Sequence, residues 1–90
     1  MRRPLYSGQL KRDIKRAQKR GKDMEKFKDL ARRLLDGEPL AAQFRDHPLK
    51  GAGSSFRDAH IEPDWLLIYK IDGDELRFER TGTHADLFDE

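Results

Sequence analysis

The pattern of residues along this chain predicts an α+β fold. A helix hairpin packs on one face of a mainly antiparallel, four- to five-stranded sheet, in the order β-α-α-β-β-β. Three observations predict it. Apolar residues recur at helical spacing through the first third. The period becomes strand-like from Phe56 onward. A tight-turn pair, Asp72-Gly73, divides the strand-rich part.

Leu5 and Tyr6 form a short opening strand, and Ser7 is a helix N-cap. Leu10, Ile14 and Ala17 fall at i, i+4 and i+7, one apolar stripe. Lys11, Arg12, Lys15, Arg16, Lys19 and Arg20 cover the remaining surface of that helix. Gly21 stands where a helix C-terminus requires positive φ. Asp23 caps a second helix carrying Phe27, Leu30, Ala31, Leu34 and Leu35, and Gly37 closes it. The short turn between the helices predicts an antiparallel hairpin. Residues 38–55, rich in Pro, Gly and Ser, read as a long loop.

FRDAHIE then reads as a strand, Pro63-Asp64 as a turn and WLLIYKI as a second strand. With Asp72-Gly73 as the central pair of a type I′ turn, Lys70 pairs with Glu75 and Tyr69 with Leu76. Ile68 then pairs with Arg77, and Leu67 with Phe78. LRFERT is the last strand. On this pattern the helices cover one face of the sheet and leave the other open to a polymer.

The 90 residues read as one domain, residues 1–90. Charged residues make up 40% of them and hydrophobic ones 36%, so one layer of helices on one sheet is what they can fill. The absence of cysteine excludes disulfides and thiolate metal sites and suits a cytoplasmic location. No apolar run approaches a membrane span, and no apolar segment follows the N-terminal arginines as a secretory signal requires. The net charge of +2 is unevenly distributed. Residues 1–33 carry 13 Lys and Arg against 4 Asp and Glu; residues 34–90 carry 6 against 13. The basic part suits a polyanion, or is the solvated face of charge-rich helices.

His47, His60 and His84 are the candidate chemical groups, with Asp58, Glu62 and Asp64 close to His60 in the chain. Asp58, His60 and Glu62 alternate along one strand, so they point to one face. Metal-free RNA cleavage needs a base for the 2′-hydroxyl, an acid for the departing 5′-oxygen and a cation or donor for the phosphorane. Histidine serves each role, because its pKa lies near working pH. The products are a 2′,3′-cyclic phosphate and a 5′-hydroxyl. Each residue also has a plainer reading. A loop histidine can be a structural hydrogen bonder, Asp64 a turn former, Trp65 core packing and Phe88 a tail anchor. Arg80 can pair within the sheet. A metal reading would use Asp58, His60, Glu62 and Asp64, but that spacing matches no standard zinc pattern. No metal and no cofactor is therefore expected.

FRDAHIEPDWLLIYK with LRFERTGTHADLF closely resembles the YafQ family of the RelE/ParE toxin superfamily. DHPLKG and YSGQLKRDIKRAQKRGKDM extend the resemblance over nearly the whole chain. It implies the RelE-like fold and an endoribonuclease (mRNA interferase) that cuts mRNA in the ribosomal A site. It places His47, His60, Asp64 and His84 on the catalytic positions, Phe88 on a C-terminal aromatic position and Asp58 on an acidic neighbour. Arg80 and Trp65 are the further candidates for supporting substrate. In the roles so implied, His84 is the general acid and Asp64 the base or its orienting group. His60 and His47 hold the phosphate, and His60 can exchange roles with Asp64. RelE itself relies on Arg, Lys and Tyr, so its chemistry does not transfer.

The resemblance further implies a DinJ-like antitoxin partner in a hetero-oligomer, with the toxin alone a monomer. The basic helix then faces ribosomal RNA or antitoxin through Lys11, Arg12, Lys15, Arg16, Lys19 and Arg20. The competing readings are a ParE-like gyrase-binding toxin and an RNA-binding module without catalysis. Neither needs the His/Asp set.

Overall fold

The computed structural model describes residues 1–49 and 55–88. β1 spans Arg3–Tyr6, α1 Gly8–Lys19 and α2 Met24–Asp36. A 3-10 turn, Ala42–Phe44, and a two-residue strand β2, His47–Pro48, follow. β3 is Arg57–Glu62, β4 Trp65–Asp72, β5 Glu75–Gly82 and α3 His84–Phe88. The five strands form one sheet in the order β1-β5-β4-β3-β2. β1 lies parallel to β5, and the other pairs are antiparallel.

The helix ends follow the signals in the sequence. Ser7 Oγ accepts from the Leu10 amide at 2.9 Å, and its hydroxyl donates to the Glu79 carbonyl at 2.6 Å. One side chain thus caps α1 and fastens it to β5. Asp23 Oδ1 accepts from the Glu25 amide at 3.1 Å. Gly37 takes φ +73°, which lets the Glu38 amide close back on the Arg33 carbonyl at 3.0 Å. Arg2 finishes that end of α2, its Nη1 donating to the Leu34 carbonyl at 2.7 Å.

Leu10, Ala17, Phe27, Leu30 and Leu34 from the helices meet Ala59, Trp65, Leu67, Tyr69, Leu76 and Phe78 from the sheet in one core. Asp13 enters the same layer at 2% exposure. Burial pushes its carboxyl up, but hydrogen bonds from Arg80 (2.9 and 3.2 Å), the Thr81 amide (3.2 Å) and Gln9 outweigh this and hold it below the usual range.

Four expectations need correction. The β4–β5 turn is centred on Gly73-Asp74, not Asp72-Gly73: Asp72 pairs with Glu75, Ile71 with Leu76, Lys70 with Arg77 and Tyr69 with Phe78. Only Gly73, at φ +61°, takes positive φ there, which is the type II′ rather than the type I′ pattern. A second irregularity shifts the register between Ile68 and Tyr69, so that Ile68 pairs with Arg80. A bulge between His60 and Glu62 breaks the alternation of β3. Glu62 consequently leaves the face of Asp58 and His60 and meets Lys22 at 3.1 Å and Lys26 at 2.9 Å. The expected loop holds the 3-10 turn and β2; its residues 50–54, including Lys50 and Gly51 of DHPLKG, lie outside the described residues. The face opposite the helices is open only in part: Asp58, His60, Leu66 and Ile68 on it are buried, and the opening is a concavity edged by Arg45, His47, His84 and Phe88.

Asp13 is the buried polar link between α1 and β5. Changing Asp13→Ala is expected to cost about 3 kcal/mol, because Arg80 and the Thr81 amide lose their acceptor. Chemical denaturation checks this; an unchanged midpoint would contradict it.

Candidate active site

The side chains converge because β2 adds to the outer edge of β3 while α3 follows the end of β5. His47 sits opposite Asp58 in the β2–β3 register. Asp58 and His60 share one face of β3, across from Ile68 and Leu66. His84 opens α3, and Phe88 closes it. Together with Arg45 and Leu49, these residues line a concavity of about 440 Å³. A second hollow of about 340 Å³ adjoins it and shares Arg45 and His60.

Imidazole centroids are 6.2 Å apart for His47 and His60 and 5.7 Å for His60 and His84. The Phe88 ring lies 6.3 Å from His84. Asp64, in the β3–β4 turn, accepts from both the His84 amide (2.8 Å) and His84 Nδ1 (2.6 Å) through one oxygen. The amide first, then the imidazole, holds Asp64 below the usual carboxylate range. A carboxylate can only accept, so Nδ1 is the protonated nitrogen of His84 and Nε2 is left for chemistry.

His60 is in a different environment. Burial is the main cause pulling its imidazole below the ordinary value, and His84, Arg45 and His47 add to this against the opposing Asp58. Its Nδ1 lies 3.4 Å from Asp58 Oδ1. Neither atom is aligned with any hydrogen-bond partner, and both are buried. The facing carboxylate favours the proton on Nδ1, which leaves Nε2 as the acceptor. His47 Nδ1 donates to the Pro48 carbonyl at 3.0 Å, and its Nε2 lies 3.9 Å from Asp58 Oδ1.

His47, Asp58 and His60 each offer one ligand atom within 4.8 Å of the others, so among the described residues these three, not the sequence-derived set, are the group able to hold a metal ion. Glu62 is held by the lysines, and Asp64 is engaged with His84.

Other candidates serve elsewhere. Trp65 is 1% exposed, and its Nε1 donates to Thr81 Oγ1 at 2.9 Å, so it is core packing and offers no stacking surface. Arg80 is bound to Asp13. Arg16 and Arg20 reach Asp86 at 3.6 and 2.6 Å and are thus partly committed inside the molecule. Lys11, Arg12, Lys15 and Lys19 remain exposed on α1. Sequence reasoning missed Arg45 and Asp46. Arg45 lies beside His60 with φ +46°, the one non-glycine residue at positive φ among the described residues. Asp46 accepts from Tyr69 Oη and from Arg57 Nε (3.1 Å), which anchors the segment carrying Arg45 and His47. Burial first, then Asp46, pushes the Tyr69 phenol up, so it stays a donor. The only sequence signal was the arginine beside the DHP motif.

No helix among the described residues is long and apolar enough to cross a membrane. Residues 2–89 match the family model of YafQ, a bacterial toxin of type II toxin–antitoxin systems. The chain is 58% identical over 84 residues to the mRNA interferase toxin YafQ of Escherichia coli K12, covering 92% of this chain and 91% of that protein. It superposes on a chain of the E. coli DinJ–YafQ complex with a TM-score of 0.92 at 55% identity, covering 98% of this chain and 99% of that one. A metal-bound toxin from Helicobacter pylori gives a TM-score of 0.92 at 36% identity, covering 98% of this chain and all of that one. With its helix pair on a five-stranded sheet and a histidine cluster at the sheet's far face, the chain belongs to the YafQ family of type II toxin–antitoxin toxins.

Proposed function

We propose that this toxin is a metal-independent endoribonuclease, an mRNA interferase that cuts mRNA in the ribosomal A site. The observation that carries the reading is the pair of imidazoles at 5.7 Å in opposite electrostatic settings. His60, kept neutral by burial, takes the proton of the 2′-hydroxyl. The 2′-oxygen attacks phosphorus, and the P–O5′ bond breaks. His84, entering the step as the imidazolium with Nδ1–H held by Asp64, delivers its Nε2 proton to the departing 5′-oxygen and is left neutral. The strand then ends in a 2′,3′-cyclic phosphate, and the other product begins with a 5′-hydroxyl. Asp64 is an orienting group: its lowered pKa makes it a poor base. Arg45 and His47 stand where charge builds on the phosphorane. Phe88 flanks His84 as a surface for the adjoining base.

The concavity is broad and shallow for a nucleotide that must be held in line. A ribosome that presents the mRNA already splayed supplies the missing positioning. Exposed Lys11, Arg12, Lys15 and Lys19 suit ribosomal RNA, and they suit equally the acidic portion of a DinJ-like antitoxin. The cytoplasm, where both partners are made, is the compartment this reading requires. A ParE-like action on gyrase would leave the His/Asp set without a use.

A second reading is metal capture by His47, Asp58 and His60, favoured by two buried atoms without hydrogen-bond partners in that triad. The two readings part in one assay. With purified toxin and translating ribosomes, cleavage that is unchanged by EDTA supports the metal-free route. Loss of cleavage in EDTA, restored by added metal, replaces it with the second reading.

His84→Ala is expected to lower cleavage by about 10²–10⁴-fold with folding intact. Full activity of that variant would remove His84 from the mechanism. Lys11→Glu, Lys15→Glu and Lys19→Glu together should weaken ribosome association in sedimentation. Unchanged co-sedimentation would contradict a role for this helix face.

His60 yields a pH prediction with a definite sign. Its folded pKa lies below its unfolded value of about 6.5. The neutral form therefore contributes stability that is complete above that value and is lost as pH falls towards the folded pKa. Nuclear magnetic resonance should show the His60 ring titrating below pH ~6.5, and His60→Gln should flatten the acid side of the stability profile. Titration of His60 at or above the ordinary value would refute both.

A further inference from the structure

We infer that Asp86 is a positioning residue for His84, clasped by Arg20, the C-cap of α1, so that the short helix carrying the acid stays seated against the sheet. This rests on the role of His84 given above. Asp86 takes no part in that chemistry and faces away from the histidine cluster, yet it makes the densest set of polar contacts in α3. Its Oδ2 accepts from the Thr83 amide at 2.9 Å, and its own amide donates to Thr83 Oγ1 at 3.0 Å, a reciprocal capping box. Arg20 grips it in two-pronged fashion, Nη1 to Oδ2 at 2.6 Å and Nη2 to Oδ1 at 3.1 Å. Arg16 stands 3.6 Å away. The Arg20 guanidinium is the main cause holding the Asp86 carboxyl far below the usual range.

Two further observations give the clasp its importance. α3 has five residues, and none of them is buried. A helix of that length does not persist by itself, and its Leu87 is only half-buried. Its anchors are polar: Asp86 on the helix side of the sheet, and the His84–Asp64 pair on the other. The latter is exposed, at 40% and 64% of its side chains, so it is weak as a sole anchor.

The second observation is Gly82, at the end of β5. Its φ is not in the left-handed region, so backbone freedom is not what it supplies. It supplies space: a Cβ there would meet Asp86 Cβ and Oδ2 at 2.9 Å and Arg16 Nη2 at 3.2 Å. The strand gives up a side chain at the one place where the clasp must close.

The test uses Asp86→Asn, Arg20→Gln, the double variant and Gly82→Ala in the full chain. Each is assayed for kcat and for the ribosome concentration at half-maximal rate. Hydrogen exchange is followed at the His84 amide, which donates to Asp64. Each single variant should lose about tenfold to a hundredfold in kcat, with half-saturation within about twofold. The double variant should be no worse than the worse single, because the two residues act as one unit. The His84 amide should lose protection while the Leu67 and Phe78 amides keep theirs. Gly82→Ala should reproduce this with every charge in place.

Unchanged kcat and unchanged His84 protection in Asp86→Asn would overturn the inference. So would additive losses in which Arg20→Gln acts only on half-saturation, since Arg20 would then be a contact to RNA. An inactive parent, or a fully active His84→Ala, overturns the proposed function instead. In that event the exchange measurement still decides whether Asp86 seats His84.

Discussion

The structure depends most on the Asp13 carboxylate buried between α1 and β5. It accepts five hydrogen bonds there: two from Arg80 and one each from the Thr81 amide, Gln9 and Arg16. Thr81 in turn takes the Trp65 indole N–H and gives its own proton to the Leu66 carbonyl at 2.7 Å. A buried charge is costly when alone and tolerable only when its lone pairs are filled. Here the filling partners come from a helix and from the last residues of a strand, so satisfying the charge fixes where β5 ends. His84 lies three residues beyond Thr81. The place of the candidate acid is therefore set by a polar knot on the opposite side of the sheet.

The far face shows how one residue type acquires different tasks from its surroundings. His84 keeps a carboxylate on Nδ1 and stands at the rim. His60 is sunk into the sheet, where burial removes the charged form. His47 hangs from an edge strand of two residues and donates to its own chain. Three residues of one type thus stand in three different settings: on a carboxylate, sunk in the sheet, and on an edge strand.

The arginines of α1 divide in a similar way. Those turned toward β5 and α3 bind Asp13 and Asp86, whereas Lys11, Arg12, Lys15 and Lys19 stay exposed. The basic excess of the N-terminal third is thus partly internal scaffolding and partly an exposed cationic face. Since one helix carries both, its outer basic face and its hold on Asp86 of α3 belong to the same rigid element.

Local chemistry was enough to determine the helices, because Ser7, Asp23, Gly21 and Gly37 act within one turn of themselves and the apolar stripes need only a helical period. It also determined which residues were chemically able to form a site, and His47, His60, Asp64 and His84, which the resemblance grouped, lie side by side in the fold. What only the tertiary structure decided depends on contacts distant in sequence. The bulge after His60 sent Glu62 to two lysines, and a turn centred one residue later changed the partners of Lys70 and Tyr69. Trp65 and Arg80 looked available to substrate and were instead claimed by Thr81 and Asp13. A side chain's identity says what it can bind, and only packing across the sheet decides which of several possible partners reaches it first.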